Sequence, residues 1–202
     1  MNEYQKGQRY LMVVNNFCRE QTERALANAI KRSNYPMCVY TDDADISEER
    51  AYKLANTPIG TGHDNFLVGI TVDFDLTFSI KAWTEIQRYH FIEIISSQST
   101  MHRLKNMDVD FACNEYVTYD TKRQLLALKC AYNECPSEQN FLRMIYNCPV
   151  GFKLTAGITT NYRQLKTIYH QRKTHRLPEW REFCKWIETL PMAKELICGE
   201  RK

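Results

Sequence analysis

The sequence predicts an α/β (α+β) fold, and three observations carry that prediction. Short runs of β-branched and aromatic residues alternate with helical periodicity through the first third of the chain. A longer run, FLVGITVDFDLTFSI, is rich in residues that favour extended chain. The later sequence then passes through a series of amphipathic helical patterns punctuated by proline. With 202 residues, 44% of them hydrophobic and 25% charged, the composition suits one sizeable domain over 1–202 with its own core. No repeat, low-complexity tract or linker divides it.

Taken in order, Gln8 to Val14 (QRYLMVV) predicts a strand, and Arg19 to Arg32 a helix through Ala25, Ala27 and Ile30. Met37 to Tyr40 is a second short strand candidate. Ser47, followed by Glu48 and Glu49, starts a helix through Leu54 that Thr57-Pro58, Gly60 and Gly62 end. A glycine-punctuated loop with His63 leads into the extended run, bent near Gly69. From Trp83 to Ser97 (WTEIQRYHFIEIISS) apolar side chains fall on nearly every side of a helix, which predicts an interior or interface helix. Glu85, Arg88 and His90 would each need a partner there.

Asp120 or Thr121 opens the next helix, through Leu125, Leu126, Leu128 and Ala131, closing near Pro136. Ser137 caps another with Phe141, Leu142, Ile145 and Tyr146 as its buried side and Arg143 off that stripe. Asn147-Cys148-Pro149 breaks the chain before VGFKLTAGI, and Leu177-Pro178 restarts it as the helix WREFCKWIETL.

Between these lies the stretch Thr159 to Trp180, TTNYRQLKTIYHQRKTHRLPEW, dense in cations. At about 100° per residue, Asn161, Leu165, Ile168 and Arg172 share one stripe, with Arg163, Lys166, His170 and Lys173 opposite. Arg172 thus lies with the apolar residues. A guanidinium cannot shed its charge, so an inward Arg172 needs a carboxylate, a partner subunit or an anionic ligand. The alternative is that it reaches past the helix end to water and complements the helix dipole there.

A formal net charge of +3 is too weak to mark a nucleic-acid binder, whereas local clusters such as HQRKTHR suit a smaller anion, for instance a nucleotide phosphate. The eight cysteines form no CxxC pair and no Cys/His group at zinc-ligand spacing, which predicts reduced core residues and no metal site. No basic segment leads into a sustained apolar run at the N-terminus, and no window has the apolar length of a membrane span, so a cytoplasmic protein is expected. Neither GxGxxG nor GxxxxGK[ST] occurs, and GxSxG and HExxH are absent too. What remains is a scatter of cations and hydroxyls: Arg88, His90, Ser96, Ser97, Gln98, Ser99, Arg103, Arg143, Arg163 and Arg172. They suit a phosphate or carboxylate ligand, or else an interior ion-pair network with Glu85, Glu93 and Glu115.

At these residues the chain resembles the flavin-dependent thymidylate synthases (ThyX). From Arg143 the order of residues is an Arg, Pro149, an extended segment, Asn161-x-Arg163-x-Leu165 on a helix, Arg172, and Trp180 opening the next stretch. Upstream, His63 precedes Arg88 at the family's separation between its His and the first Arg of its RHR signature. The similarity covers residues 63 to 181. The family pattern RHRxxSxNExSxR is altered here: Arg88 and Arg103 match its ends, His90 replaces the third basic residue, and SSQSTMHR carries extra residues before Arg103. Thr167 stands where the family usually has an Asn touching the flavin.

The resemblance implies a mixed sheet with flanking helices and long helices forming a subunit interface, assembled as a homotetramer with FAD and dUMP held between subunits. It implies methylation of dUMP to dTMP, with methylenetetrahydrofolate as one-carbon donor and NADPH as co-substrate. Arg172 would be catalytic, facing the uracil and lowering the cost of negative charge on the ring. Arg143 would grip the nucleotide phosphate, with Ser99 and Arg103 completing the substrate site. His63, Arg88, His90, Asn161 and Thr167 would line the flavin. The altered signature also fits a noncatalytic nucleotide-binding or interaction protein, or a relative that hydroxymethylates the pyrimidine.

Overall fold

A computed structural model describes residues 13–35, 46–58 and 60–200. Among the described residues four strands form one sheet in the order β1-β2-β4-β3, where β1 is Val14–Asn15, β2 Thr71–Ser79, β3 Glu93–Ser97 and β4 Lys153–Asn161. Every pairing is antiparallel, and helices flank the sheet, so the α/β (α+β) expectation holds. Of the expected strand Gln8 to Val14 only Val13 and Val14 are described; Met37 to Tyr40 lies outside the described residues.

The two central strands dictate the rest. β2 pairs with β4 along its full length, from Thr71↔Asn161 to Ser79↔Lys153. Because side chains alternate across a strand, Val72, Phe74, Leu76 and Phe78 enter the core while Thr71, Asp73, Asp75 and Thr77 form a half-exposed polar face. Helix α1 (Arg19–Asn34) and the helix Pro178–Ile187 cover the apolar side. In the latter, Phe183 and Trp186 stack at 5.5 Å, with Phe183 and Trp180 both against Phe78. A second core, built on Leu104, Val109, Ala112, Leu125, Met144 and Phe152, lies beneath the helices Tyr119–Glu134 and Glu138–Tyr146.

Local chemistry sets several helix starts. Ser47 and Ser137 cap as expected, each side-chain oxygen accepting from the backbone N–H three residues on. Ser79 ends β2 and caps helix α3 (Ile80–Ile86; α2 being Glu48–Ala55) by accepting from Ala82. Asn161 does the same between β4 and the helix Tyr162–Arg172, accepting from the Gln164 N–H at 3.0 Å.

The helix expected from Trp83 to Ser97 does not run that length. Helix α3 stops at Ile86, the chain turns through Gln87 to Ile92, and Glu93–Ser97 is the edge strand β3 with all five residues exposed. Phe91, Ile94 and Ile95 are 64%, 50% and 67% exposed, so their apolar character fills no core within one chain. Arg88 and His90 are exposed as well, not interior groups needing a partner. The cysteines also depart from expectation: among the described ones only Cys113 and Cys184 are buried, and Cys18, Cys130 and Cys135 are exposed, all as free thiols.

Candidate functional site

Three elements meet around one carboxylate. Glu85, in the last turn of α3, sends Oε2 toward the end of the helix Tyr162–Arg172, where Arg172 Nη1 donates to it at 3.0 Å. Trp180 Nε1 donates to the same oxygen at 3.2 Å, and His175 Nε2 lies 3.3 Å from it. Lys81 Nζ is 3.4 Å from Oε1. Arg172 Nε donates to the Tyr89 hydroxyl at 2.7 Å, and its guanidinium lies over the Trp180 ring at 4.8 Å and the Tyr89 ring at 5.5 Å. Tyr89 in turn donates to Gln171 Oε1 at 3.0 Å. Arg172 is therefore held on two sides by aromatic faces and on its inner edge by Glu85.

The charges in this knot are fixed by their neighbours. Burial opposes ionisation of Glu85, but His175, Lys81 and Arg172 outweigh it and hold the carboxyl below its ordinary range. Burial pushes His175 down, against the pull of Glu85 and with help from Arg172. The Leu177 N–H donates to His175 Nδ1, which must therefore carry no proton, so the neutral ring holds its hydrogen on Nε2 facing Glu85. Glu93 and Glu115, the other carboxylates expected in an ion-pair network, are exposed and stand outside it.

On the outer side of Arg172 a surface cleft of 320 Å³ opens, lined by Arg88, Tyr89, His90, Phe91, Gln164, Thr167, Gln171 and Arg172. The turn between α3 and β3 makes one wall. The face of the helix Tyr162–Arg172 that carries positions 164, 167 and 171 makes the other. The fold thus brings together four of the sequence-derived site residues: Arg88, His90, Thr167 and Arg172. Arg172 lines this cleft, and its Nη2 donates to no described residue.

The other candidates lie elsewhere within the chain. Arg143 is exposed on the helix Glu138–Tyr146, and Ser99 and Arg103 bracket the short helix after β3. His63 is exposed in the loop before β2, and the Asn161 side chain is engaged as a helix cap. Beside His63 a second cluster forms. Asp64 Oδ2 accepts from Lys166 Nζ at 3.0 Å, and Arg163 Nε lies 3.4 Å from Oδ1. Lys166 also donates to the Ala55 carbonyl and is only 8% exposed. The helical period places Lys166 on the outer stripe, but the loop carrying Asp64 covers that side.

Sequence reasoning missed Tyr89, Gln164 and Gln171. The altered signature drew attention to its two basic ends, while Tyr89 between them anchors Arg172. The signal for Gln164 was its place three residues after the Asn161 cap, on the face that also carries Thr167.

The chain is thus an α+β protein with an antiparallel sheet and a cleft walled by two guanidinium groups, aromatic rings and side-chain amides. Its fold is shared with flavin dependent thymidylate synthase ThyX from Helicobacter pylori, solved with FAD and dUMP, at a TM-score of 0.63 and 17% identity over 94% of this chain and 99% of that one. A second structure, Thymidylate Synthase X (ThyX) from the same organism with FAD and dUMP, superposes at a TM-score of 0.63 and 18% identity over 92% of this chain and 96% of that one. No protein-family model matches the chain, and no curated protein matches it in sequence. At this identity the likeness is one of fold. Among the described residues no helix is long and apolar enough to cross a membrane.

Proposed function

We propose that this chain is a flavin-dependent thymidylate synthase, binding FAD and dUMP and transferring a one-carbon unit from methylenetetrahydrofolate to the pyrimidine, with NADPH as reductant. The observation that carries the reading is the cleft itself. Arg88, His90, Thr167 and Arg172, from two segments more than 70 residues apart, converge there in a fold shared with proteins solved with FAD and dUMP.

The lining suits those groups. Phe91 and Tyr89 offer faces for a planar ring, and Arg88, which pairs with no described carboxylate, offers charge to a phosphate. Arg172 has a different task. Glu85 compensates its charge at 3.0 Å, so toward the cleft it supplies a fixed hydrogen-bond donor rather than a bare cation. A donor held in place by surrounding structure stabilises charge developing on a ring carbonyl at little reorganisation cost. Bound flavin supplies the reducing equivalents for the transfer.

At 320 Å³ the cleft is at the small end for a ligand site, with room for one ring system rather than a whole dinucleotide and its substrate. We therefore read 1–202 as one domain that completes its site by assembling, as a homotetramer. In such an assembly Arg143, Ser99 and Arg103 of another copy contribute to the phosphate, and His63 and Asn161 extend the flavin site. The exposed apolar residues Phe91 on the cleft wall, Ile94 and Ile95 on β3, and Leu142 and Tyr146 near Arg143 support assembly. We place the protein in the cytoplasm on the same reading.

The test is single-turnover oxidation of the reduced flavoprotein: with methylenetetrahydrofolate present, flavin reoxidation should require dUMP and yield dTMP. A hydroxymethylated product would assign the related reaction. One observation favours a noncatalytic nucleotide-binding role, namely that Arg172 is already ion-paired. Tight dUMP binding without dUMP-dependent reoxidation would establish it.

A further inference from the structure

Gln164 is the least exposed polar side chain on the cleft wall, at 8%. Its backbone N–H is taken by the Asn161 cap, but its side-chain amide forms no hydrogen bond with a described residue. Asn161 and Gln164 have the spacing at which an N3 glutamine can fold back onto the cap residue, yet no such return bond is made. Among the described residues Glu179 Oε1 is the one fully buried side-chain atom without a partner, so the Gln164 amide is not sealed off, and on this cleft wall it is open to a ligand.

The neighbours on the same helix narrow what that ligand presents. Gln171 already accepts from Tyr89 through Oε1, Thr167 already donates to the Arg163 carbonyl, and Arg172 can only donate. Gln164 offers both a donor and an acceptor, side by side on one planar group, with neither engaged by a described residue. The complement is a ring edge on which a carbonyl adjoins an N–H.

We infer that Gln164 reads the imide edge of a planar heterocycle seated in the cleft, its carbonyl accepting from the ring N–H and its amide N–H donating to the adjacent ring carbonyl. The inference rests on the proposed function only for the candidate rings, the uracil of dUMP and the isoalloxazine of FAD, which share this imide. Gln164 is then a specificity residue, because a site built to pair a polar edge rejects a ring that lacks it.

The experiment measures affinities of wild type and Gln164→Leu for dUMP, N3-methyl-dUMP, FMN and N3-methyl-FMN. N3-methylation removes the ring donor without altering the phosphate. For the ring that occupies the cleft, wild type should lose about 10- to 100-fold on N3-methylation. Gln164→Leu should lose a similar factor for the parent ligand and discriminate the methylated one little further. A loss in the nucleotide series assigns the pyrimidine, and one in the flavin series assigns the flavin. The comparison within wild type stands even if the variant folds poorly, which its circular dichroism would reveal. The inference is overturned if the parent ligands bind and wild type takes both methylated analogues equally well, a result that leaves the proposed function intact. Binding with imide discrimination but no flavin-dependent turnover does the reverse. Wild type that binds neither dUMP nor FMN overturns both.

Discussion

Arg172 and Glu85, 87 residues apart in sequence, meet at 3.0 Å with side chains only 12% and 13% exposed. This pair joins the helix that feeds the edge strand to the helix that walls the cleft, so it couples the core to the site. Taking Glu85 away leaves a shielded guanidinium without its carboxylate. Glu85→Ala should destabilise the fold toward the lower end of the about 3–5 kcal/mol typical of breaking such a pair, read as a fall in the urea midpoint. Removing Glu23 from its exposed pair with Arg19 should cost under about 1 kcal/mol in the same assay.

Acid should loosen the same knot. Burial holds His175 below its usual 6.5 although Glu85 opposes, and the surrounding positive groups outweigh burial to hold Glu85 below its usual 4.5. The native state then binds fewer protons than the unfolded chain, so stability rises with pH. The His175 contribution is full above pH 6.5 and is lost as pH falls through its folded value. The Glu85 contribution is full above pH 4.5 and is lost below that. Urea midpoints between pH 7.5 and 4 should fall in two stages, the first reduced in His175→Ala. Part of that stage should survive, because His170 is also held low, by burial and by Lys173 and Lys166 against the Ile197 carbonyl.

The buried lysine predicts an asymmetry. In Lys166→Met the charge goes and Asp64 keeps Arg163 nearby, so the cost should stay within about 1.5 kcal/mol. Asp64→Ala leaves Lys166 shielded without its carboxylate and should cost more than twice as much. Thermal melts of the two variants decide the order; equal losses would mean that the pair carries no charge coupling.

Two glycines make a ranked pair. A Cβ at Gly151 would lie 2.5 Å from Val117 Cγ2 and 2.8 Å from Asn114 Oδ1, while one at Gly157 would lie 2.8 Å from Ser96 Oγ. Valine is stiff at χ1, whereas the serine hydroxyl can rotate away. Gly151→Ala should therefore destabilise by about 1–3 kcal/mol, and Gly157→Ala by less. In Gly157→Ala the effect should concentrate in faster amide exchange along Ser96 to Gln98, where β3 and its continuation lie against β4.

Much of this arrangement is legible in the sequence. Ser47 and Ser137 announce their helices through cap chemistry, and the alternation in TVDFDLTFS gives the two faces of β2. Arg172 was placed inward by helical period alone, with a carboxylate among its expected partners; that the carboxylate is Glu85 depends on strands bringing distant helices together. The segment from Trp83 to Ser97 resisted reading for a physical reason. Its turn contains neither glycine nor proline, and the apolar residues of its edge strand are exposed within one chain, so neither a breaker nor a burial pattern marks the change from helix to strand. Lys166 misled for the opposite reason, since a wheel drawn on one helix cannot include the loop that covers it.

The central claim is that the site built around the cleft beside Arg172, completed by other copies of the chain, receives a flavin and a pyrimidine nucleotide. Calorimetric titration of FAD and dUMP into the purified chain tests it most directly. The account predicts saturable binding of each ligand at one site per chain, with the FAD affinity falling at least about tenfold when Arg88, exposed on the cleft wall, becomes alanine. No heat of binding for either ligand, in protein whose circular dichroism shows it folded, would contradict it.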